Sequence, residues 1–150
     1  MGRGGVATLI GEYQHTLDEK GRLTVPAKFR EELGEQFVMT VGLDNCLTCY
    51  PQAEWDKVRS QLLKLPMSNR EARRFERLLQ ARGSEVELDR QGRVLLPQNL
   101  RAAVGIESEA VLIGLNTRVE IWAEPVWRTY RDEATETFEE IAEKMAEFGL

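Results

Sequence analysis

Histidine occurs once in the 150 residues, at His15, and cysteine twice, at Cys46 and Cys49. A single imidazole, with no serine or cysteine at nucleophilic spacing, leaves a catalytic triad without a base. His15 therefore reads as a solvated strand residue. Two cysteines so close together cannot staple a secreted scaffold. Cys46-Leu-Thr-Cys49 has the C-x-x-C spacing of half a zinc site or a redox pair, but two ligands are missing and strand residues three apart face opposite ways. No metal or cofactor is expected. Neither G-x-x-x-x-G-K-[ST] nor G-x-G-x-x-G occurs, so nucleotide chemistry has no cradle. No stretch approaches about 18 apolar residues, and the apolar run near the start is too short for a signal-peptide core. The expected location is cytoplasmic, with no membrane partner. No set of acid, base and nucleophile recurs along the chain, so neither an enzyme nor a small-molecule substrate is expected.

What is present is the composition of a folded domain, 42% hydrophobic and 30% charged. A compact chain of this size buries roughly 70% of its unfolded surface. The net charge of −5 is distributed in blocks. Lys+Arg minus Asp+Glu is +2 for 1–30 (5−3), −6 for 31–56 (0−6), +6 for 57–82 (8−2), −2 for 83–122 (4−6) and −5 for 123–150 (3−8). An acidic chain can still hold a polyanion if folding gathers its basic segments on one face. Solvated helix faces are the alternative reading of the 57–82 block.

The chain repeats itself at an offset of about 70 residues. Leu17-Asp-Glu-Lys-Gly-Arg-Leu-Thr-Val-Pro26 aligns with Leu88-Asp-Arg-Gln-Gly-Arg-Val-Leu-Leu-Pro97, and Phe29/Leu100, Arg30/Arg101, Leu33/Val104 and Gly34/Gly105 continue at offset 71. After one inserted residue, Gly42-Leu-Asp44 aligns with Gly114-Leu-Asn116, as do Tyr50/Trp122 and Trp55/Trp127. One unit of about 45 residues is used twice. The organisation reads as 11–55 first repeat, 56–82 helical connector, 83–127 second repeat and 128–150 acidic C-terminal helix, with the two repeats forming one structural domain.

Each unit spells the same elements. Strands are expected at 12–17 and 85–88, then an Asp-x-x-Gly-Arg turn, then strands at 23–25 and 94–96. Asp18 and Asp89 suit a tight turn as backbone acceptors, and Gly21 and Gly92 supply its positive φ. Pro26 and Pro97 fit the first turn of helices at 27–33 and 98–104, which Gly34 and Gly105 stop. Hairpins of 37–41 with 46–50 and 110–113 with 119–122 complete the units. In the connector, Trp55, Val58, Leu62 and Leu65 fall at helical spacing, and Ser68-Asn-Arg-Glu71 fits a capping box opening a second helix. Its apolar side is Ala72, Phe75, Leu78 and Leu79, opposite Arg70, Arg73, Arg74 and Arg77. A third helix runs from Pro125, carrying Tyr130, Phe138, Ile141, Met145 and most of the acid.

Units this small cannot bury enough apolar surface alone, so the fold class is α+β with two interlocked halves in a pseudo-twofold arrangement. That brings the two Asp-x-x-Gly-Arg loops to related positions. Lys20, Arg22, Arg90 and Arg93 on paired loops suit phosphate contact, and arginine also grips guanine O6 and N7. The same spacing is equally that of turn salt bridges, Asp18 with Arg22 and Asp89 with Arg93.

The segment Gly11 to Arg30, the second Asp-x-x-x-Arg at 89–93 and the Trp55/Trp127 spacing resemble the MraZ family of bacterial transcriptional regulators, over about residues 11–130. The resemblance implies AbrB-like swapped-hairpin halves and assembly into a closed homo-oligomeric ring. It also implies binding of double-stranded DNA at short direct repeats upstream of the division and cell-wall gene cluster, its own promoter included, as a nucleoid-associated repressor. By position, the family's motif residues are Asp18 and Arg22, with Asp89 and Arg93. On this reading Arg22 and Lys20 enter the major groove or grip phosphate while Asp18 shapes the loop. Met1–Thr8 and the acidic tail receive no role. The rival from another class is a ring scaffold or antitoxin-like protein-interaction module, with the acidic third helix as docking element.

Overall fold

The computed structural model describes residues 9–150. In chain order the elements are β1 (Leu9–Thr16), β2 (Arg22–Thr24), α1 (Ala27–Leu33), β3 (Gln36–Val41), β4 (Leu47–Pro51), α2 (Gln52–Leu62) and α3 (Arg70–Ala81). The second half follows with β5 (Ser84–Glu87), β6 (Arg93–Leu95), α4 (Gln98–Val104), β7 (Glu109–Asn116), β8 (Val119–Ala123), α5 (Glu124–Glu136) and α6 (Phe138–Lys144). A 3-10 turn at Met145–Phe148 follows α6. The segment Met1–Thr8 lies outside the described residues. No helix among them is long and apolar enough to cross a membrane.

The helices α1 and α4 take the bounds that their proline and glycine neighbours dictate. Pro26 and Pro97 hold φ near −55, the value their rings impose, and Gly34 and Gly105 follow at φ 83 and 72. A residue with a Cβ is strained at such φ, so the helices stop there.

Six strands form one antiparallel sheet in the order β1-β7-β8-β4-β3-β5, and β2 pairs with β6 in a separate two-stranded ribbon. The strands of each unit do not pair as a self-contained hairpin at the Asp-x-x-Gly-Arg turn. Instead β1 lies along β7 of the second repeat and β5 along β3 of the first. Leu23 faces Val94 in the ribbon and Thr48 faces Glu120 in the sheet. Each of these residues is paired with its own counterpart in the repeat, which is what a twofold relation between the halves requires.

The equivalence of the hairpins differs from the sequence alignment. Leu17 N donates to Ser108 O at 2.7 Å and Leu88 N to Glu35 O at 2.9 Å, which makes Glu35 the counterpart of Ser108, two residues beyond the offset of the turns. Val41 pairs with Leu47 around a five-residue loop (42–46), whereas Gly114 pairs with Val119 around a four-residue loop (115–118). Gly42 and Gly114, aligned in sequence, therefore stand at different places. A Cβ on Gly114 would strike the backbone of Leu9 and Ile10 on the crossing strand, while one on Gly42 would strike the Thr48 hydroxyl.

Alternation along β3 sends side chains to two cores. Phe37 and Met39 join Leu23, Phe29, Leu100, Leu112 and Ile121 beneath the ribbon and α1 and α4. Val38 points the other way, with Trp55, Leu62 and Leu79 of α2 and α3. The buried Thr40 hydroxyl donates to Leu79 O at 2.7 Å, satisfying a carbonyl that the last turn of α3 leaves without a helical partner. The repeated aromatic pair is realised in both halves: Tyr50 and Trp55 rings lie 5.6 Å apart, Trp122 and Trp127 5.2 Å.

Three helix details correct the expectations. The cap of α3 is Asn69, not Ser68; its side chain accepts from Ala72 N at 2.9 Å. The single third helix is broken at Thr137, a β-branched residue at φ −111 between α5 and α6. On the apolar side of α3 only Leu79 is buried, leaving Phe75 at 49% and Leu78 at 57% exposure. His15 is half-buried on β1 opposite Ala110 rather than fully solvated.

Candidate nucleic-acid interface

The two Asp-x-x-Gly-Arg turns are built alike. Asp18 Oδ1 accepts from the backbone N–H groups of Lys20 and Arg22, both at 2.9 Å, and Oδ2 accepts from Arg22 Nε at 2.6 Å. Asp89 does the same with Gln91 N, Arg93 N and Arg93 Nε, each at 2.9 Å. One carboxylate thus closes the turn with one oxygen and orients the guanidinium with the other. Hydrogen bonds to the charged form favour ionisation, so the Arg22 amide, with the Arg22 side chain and the Lys20 amide, lowers the Asp18 pKa to about 2. Asp89 is shifted down for the same reason, led by the Arg93 amide.

Gly21 and Gly92 take φ 84 and 78, as the turn demands. Backbone bonds tie each turn to the other repeat: Val25 N donates to Gly92 O at 2.9 Å and Leu96 N to Gly21 O at 3.0 Å. Both turns therefore flank the ribbon formed by β2 and β6. In that ribbon Leu23 and Val94 are fully buried, so the alternating neighbours Arg22, Thr24, Arg93 and Leu95 share the outward face. Arg22 and Arg93 are half-exposed there, and Arg93 Nη1 lies 3.7 Å from Asp18 Oδ2 of the other turn. Lys20 and Arg90 are exposed at the turn tips, with no ion-pair partner among the described residues. All four sequence-derived basic residues, and all four loop-shaping ones, are thus gathered in one small region.

Two further arginines belong to this region. The Arg101 guanidinium packs against Gly21 and that of Arg30 against Gly92, so each helix arginine backs the turn of the opposite repeat. Arg101 Nη2 also donates to Glu107 O at 3.0 Å. Their recurrence at offset 71 is visible in the sequence, but which turn each meets depends on the crossing strands. Leu95, 55% exposed beside Arg22, is a second addition.

Elsewhere, both cysteines are buried and unpaired. Cys46 precedes β4, its thiol donating to Leu43 O at 3.2 Å, and Cys49 belongs to the larger core. Burial raises the Cys46 thiol to about 12 and moves Cys49 in the same direction. Among the described residues no group of three or more His, Cys, Asp or Glu could hold a metal ion.

The family model for the MraZ protein, described as antitoxin-like, matches this chain twice, over residues 8–78 and 80–149. The first match carries β1 to β4 and the second β5 to β8. Proteins named transcriptional regulator MraZ align over 141 residues, 94% of this chain and 99% of the relative, in Syntrophomonas wolfei at 50% identity, Carboxydothermus hydrogenoformans at 50% and Alkaliphilus oremlandii at 51%. A family model covering nearly the whole chain, together with such relatives, settles its membership: this chain belongs to the MraZ family.

Proposed function

We propose that this chain is a sequence-specific DNA-binding transcriptional regulator and not an enzyme. It acts as a repressor on short direct repeats upstream of the division and cell-wall gene cluster, including its own promoter. The observation that carries this reading is the placement of Arg22 and Arg93 on the outward face of one antiparallel ribbon. The major groove of B-DNA admits a two-stranded ribbon, and arginine is the side chain best matched to guanine O6 and N7. Asp18 and Asp89 hold both guanidinium groups in place before DNA arrives, so little side-chain entropy is lost on contact. Lys20, Arg90, Arg30 and Arg101 add phosphate contacts around the ribbon, and Leu95 offers an apolar contact for a thymine methyl group. The DNA-binding halves are AbrB-like swapped hairpins, a reading supported by the pairing of β1 with β7 and β5 with β3. Protomers assemble into a closed ring, and repeated boxes engaging several ribbons at once raise affinity through effective concentration. The protein works in the cytoplasm at the nucleoid.

Retardation and footprinting of the region upstream of the protein's own gene, with competitor DNA present, tests this. Protection of repeated boxes at sub-micromolar protein is expected. If about eight cations displace counterions, log affinity should fall with log salt at a slope near −7, a loss of roughly 10⁴ between 50 and 200 mM. A flat salt response removes the phosphate-contact mechanism. The second reading is an antitoxin-like or scaffold module that holds a protein partner, favoured by the exposed Phe75 and Leu78. Absence of any specific footprint decides for it.

A further inference from the structure

The ribbon of β2 and β6 is nearly symmetric, and its departures from symmetry fall on the outward face. Leu23 pairs with Val94, its own counterpart at offset 71, so the local twofold passes between them. The flanking pairs are Arg22 with Leu95 and Thr24 with Arg93. The two arginines are counterparts in the repeat, and so are Thr24 and Leu95. One end of the ribbon therefore sets a guanidinium beside an isobutyl group, and the other sets a guanidinium beside a hydroxyl. Thr24 is half-buried, whereas Leu95 is exposed.

Each end also has its own turn. Leu96 N donates to Gly21 O, which places Leu95 with the first turn, and Val25 N donates to Gly92 O, which places Thr24 with the second. The exposed tips differ, because Glu19 stands where the second turn has Arg90. Residues 18–22 sum to 0 (2−2) and residues 89–93 to +1 (2−1). That difference in charge does not orient the protein on DNA, since phosphates line both strands alike whichever way the ribbon lies. The side chains that meet base edges do.

Positions 22 and 24 lie about 7 Å apart along the strand, close to the rise of two base pairs, so the two ends meet different bases. The Thr24 hydroxyl donates or accepts and can satisfy any base edge. Leu95 does neither. Against adenine, cytosine or guanine it buries a base donor or acceptor without a partner, whereas thymine offers the C5 methyl group, an apolar feature of the major groove. We propose that this inequality gives the ribbon a direction: Arg22 takes a guanine, Leu95 covers the methyl group of a thymine beside it, and each box is bound in a single orientation. Turned round, the ribbon would set Thr24 on that methyl group and Leu95 on a polar base edge. This rests on the reading of the ribbon as the DNA-contacting surface and names the residues that give it polarity.

The test uses the full chain and a duplex carrying one box. Replacing each thymine of the box in turn by deoxyuridine removes only a methyl group. At one thymine the parent should lose about fourfold in affinity, the worth of one buried methyl group, and Leu95→Ser should bind the two duplexes alike. Glu19→Cys supplies an exposed thiol for an iron–EDTA chelate, while Cys46 and Cys49 are buried. The chelate should cut the DNA on one side of the box only, the side of the sensitive thymine. Adding Thr24→Leu/Leu95→Thr to Glu19→Cys should move the cut to the other side. Equal cutting on both sides by the Glu19→Cys protein overturns the direction. No sensitive thymine, or a sensitivity that survives in Leu95→Ser, overturns the role of Leu95, and this comparison stands even if the exchanged variant fails to fold. A folded parent that binds no box overturns the DNA reading beneath both.

Discussion

The Arg93 guanidinium lies 3.7 Å from the carboxylate of Asp18, a residue of the opposite repeat, and no matching ion pair joins Arg22 to Asp89 among the described residues. The two turns are therefore unequal. Arg93 is bound to Asp89, to Gln91 Oε1 at 2.6 Å and to Asp18, whereas Arg22 is held through Nε by Asp18 alone. Arg22 has more donors to offer, and it has Lys20 beside it where the second turn has Gln91. In competitor-containing mobility shifts, Arg22→Ala should weaken operator binding by about 1–3 kcal/mol, fivefold or more, and Arg93→Ala by less. Equal binding by Arg22→Ala and the parent defeats the assignment.

The glycines of the turns should tolerate nothing larger. Gly92→Ala places a Cβ at φ 78 and against the Arg30 guanidinium, and Gly21→Ala meets Arg101 in the same way. A non-glycine residue in such a conformation costs on the order of 1–3 kcal/mol, or roughly 2–4 °C of Tm per kcal/mol in a protein of this size. Gly105→Ala, at φ 72 with open space around it, carries the strain without the collision. Thermal melts should rank Gly92→Ala below Gly105→Ala, and the reverse order would show that the arginine backing is loose.

Acid should loosen the turns below the ordinary carboxylate range. The folded-state pKa of Asp18 is lowered to about 2, so its contribution is fully present above the unfolded value near 4 and is lost as pH falls from there through about 2. Asp18→Asn should destabilise at neutral pH, and its deficit relative to the parent should shrink as pH drops through this window. Denaturant midpoints measured at several pH values test this; a deficit constant with pH would assign the loss to shape rather than charge.

The thiols should be silent in the native protein. Only a thiolate attacks a disulfide reagent, and burial raises both cysteines well above their usual range. Native protein at mildly alkaline pH should react with an aromatic disulfide reagent only after denaturant is added, and then with both thiols. Rapid native labelling at either position would reopen the C-x-x-C as a reactive pair.

Parts of this architecture are legible along the chain and parts are not. The bounds of α1 and α4 can be read because a proline and a glycine bracket each seven-residue helix. Strand partners cannot, since the side-chain pattern of β1 records that it has two faces but not which strand lies beside it. The same gap hides Arg30 and Arg101: both recur with the motif, yet each backs the turn of the other repeat only because the strands cross. Ser68 and Asn69 are both competent caps, and the glutamate at Glu71 favours Ser68 by spacing, whereas the fold uses Asn69. The break at Thr137 carries no glycine or proline to announce it.

The crossing of β1 onto β7 also sets a timetable for the nascent chain. Leu9 is paired with Asn116, 107 residues downstream (116−9). At ribosomal rates of roughly 5–20 residues per second, the first strand spends on the order of 5–20 s in the cell before its neighbour has been made. Throughout that interval its N–H and C=O groups are open to any extended stranger. Gly11, Glu12, Gln14 and Thr16 remain exposed in the finished protein, so a strand made long before its partner carries several side chains that water tolerates.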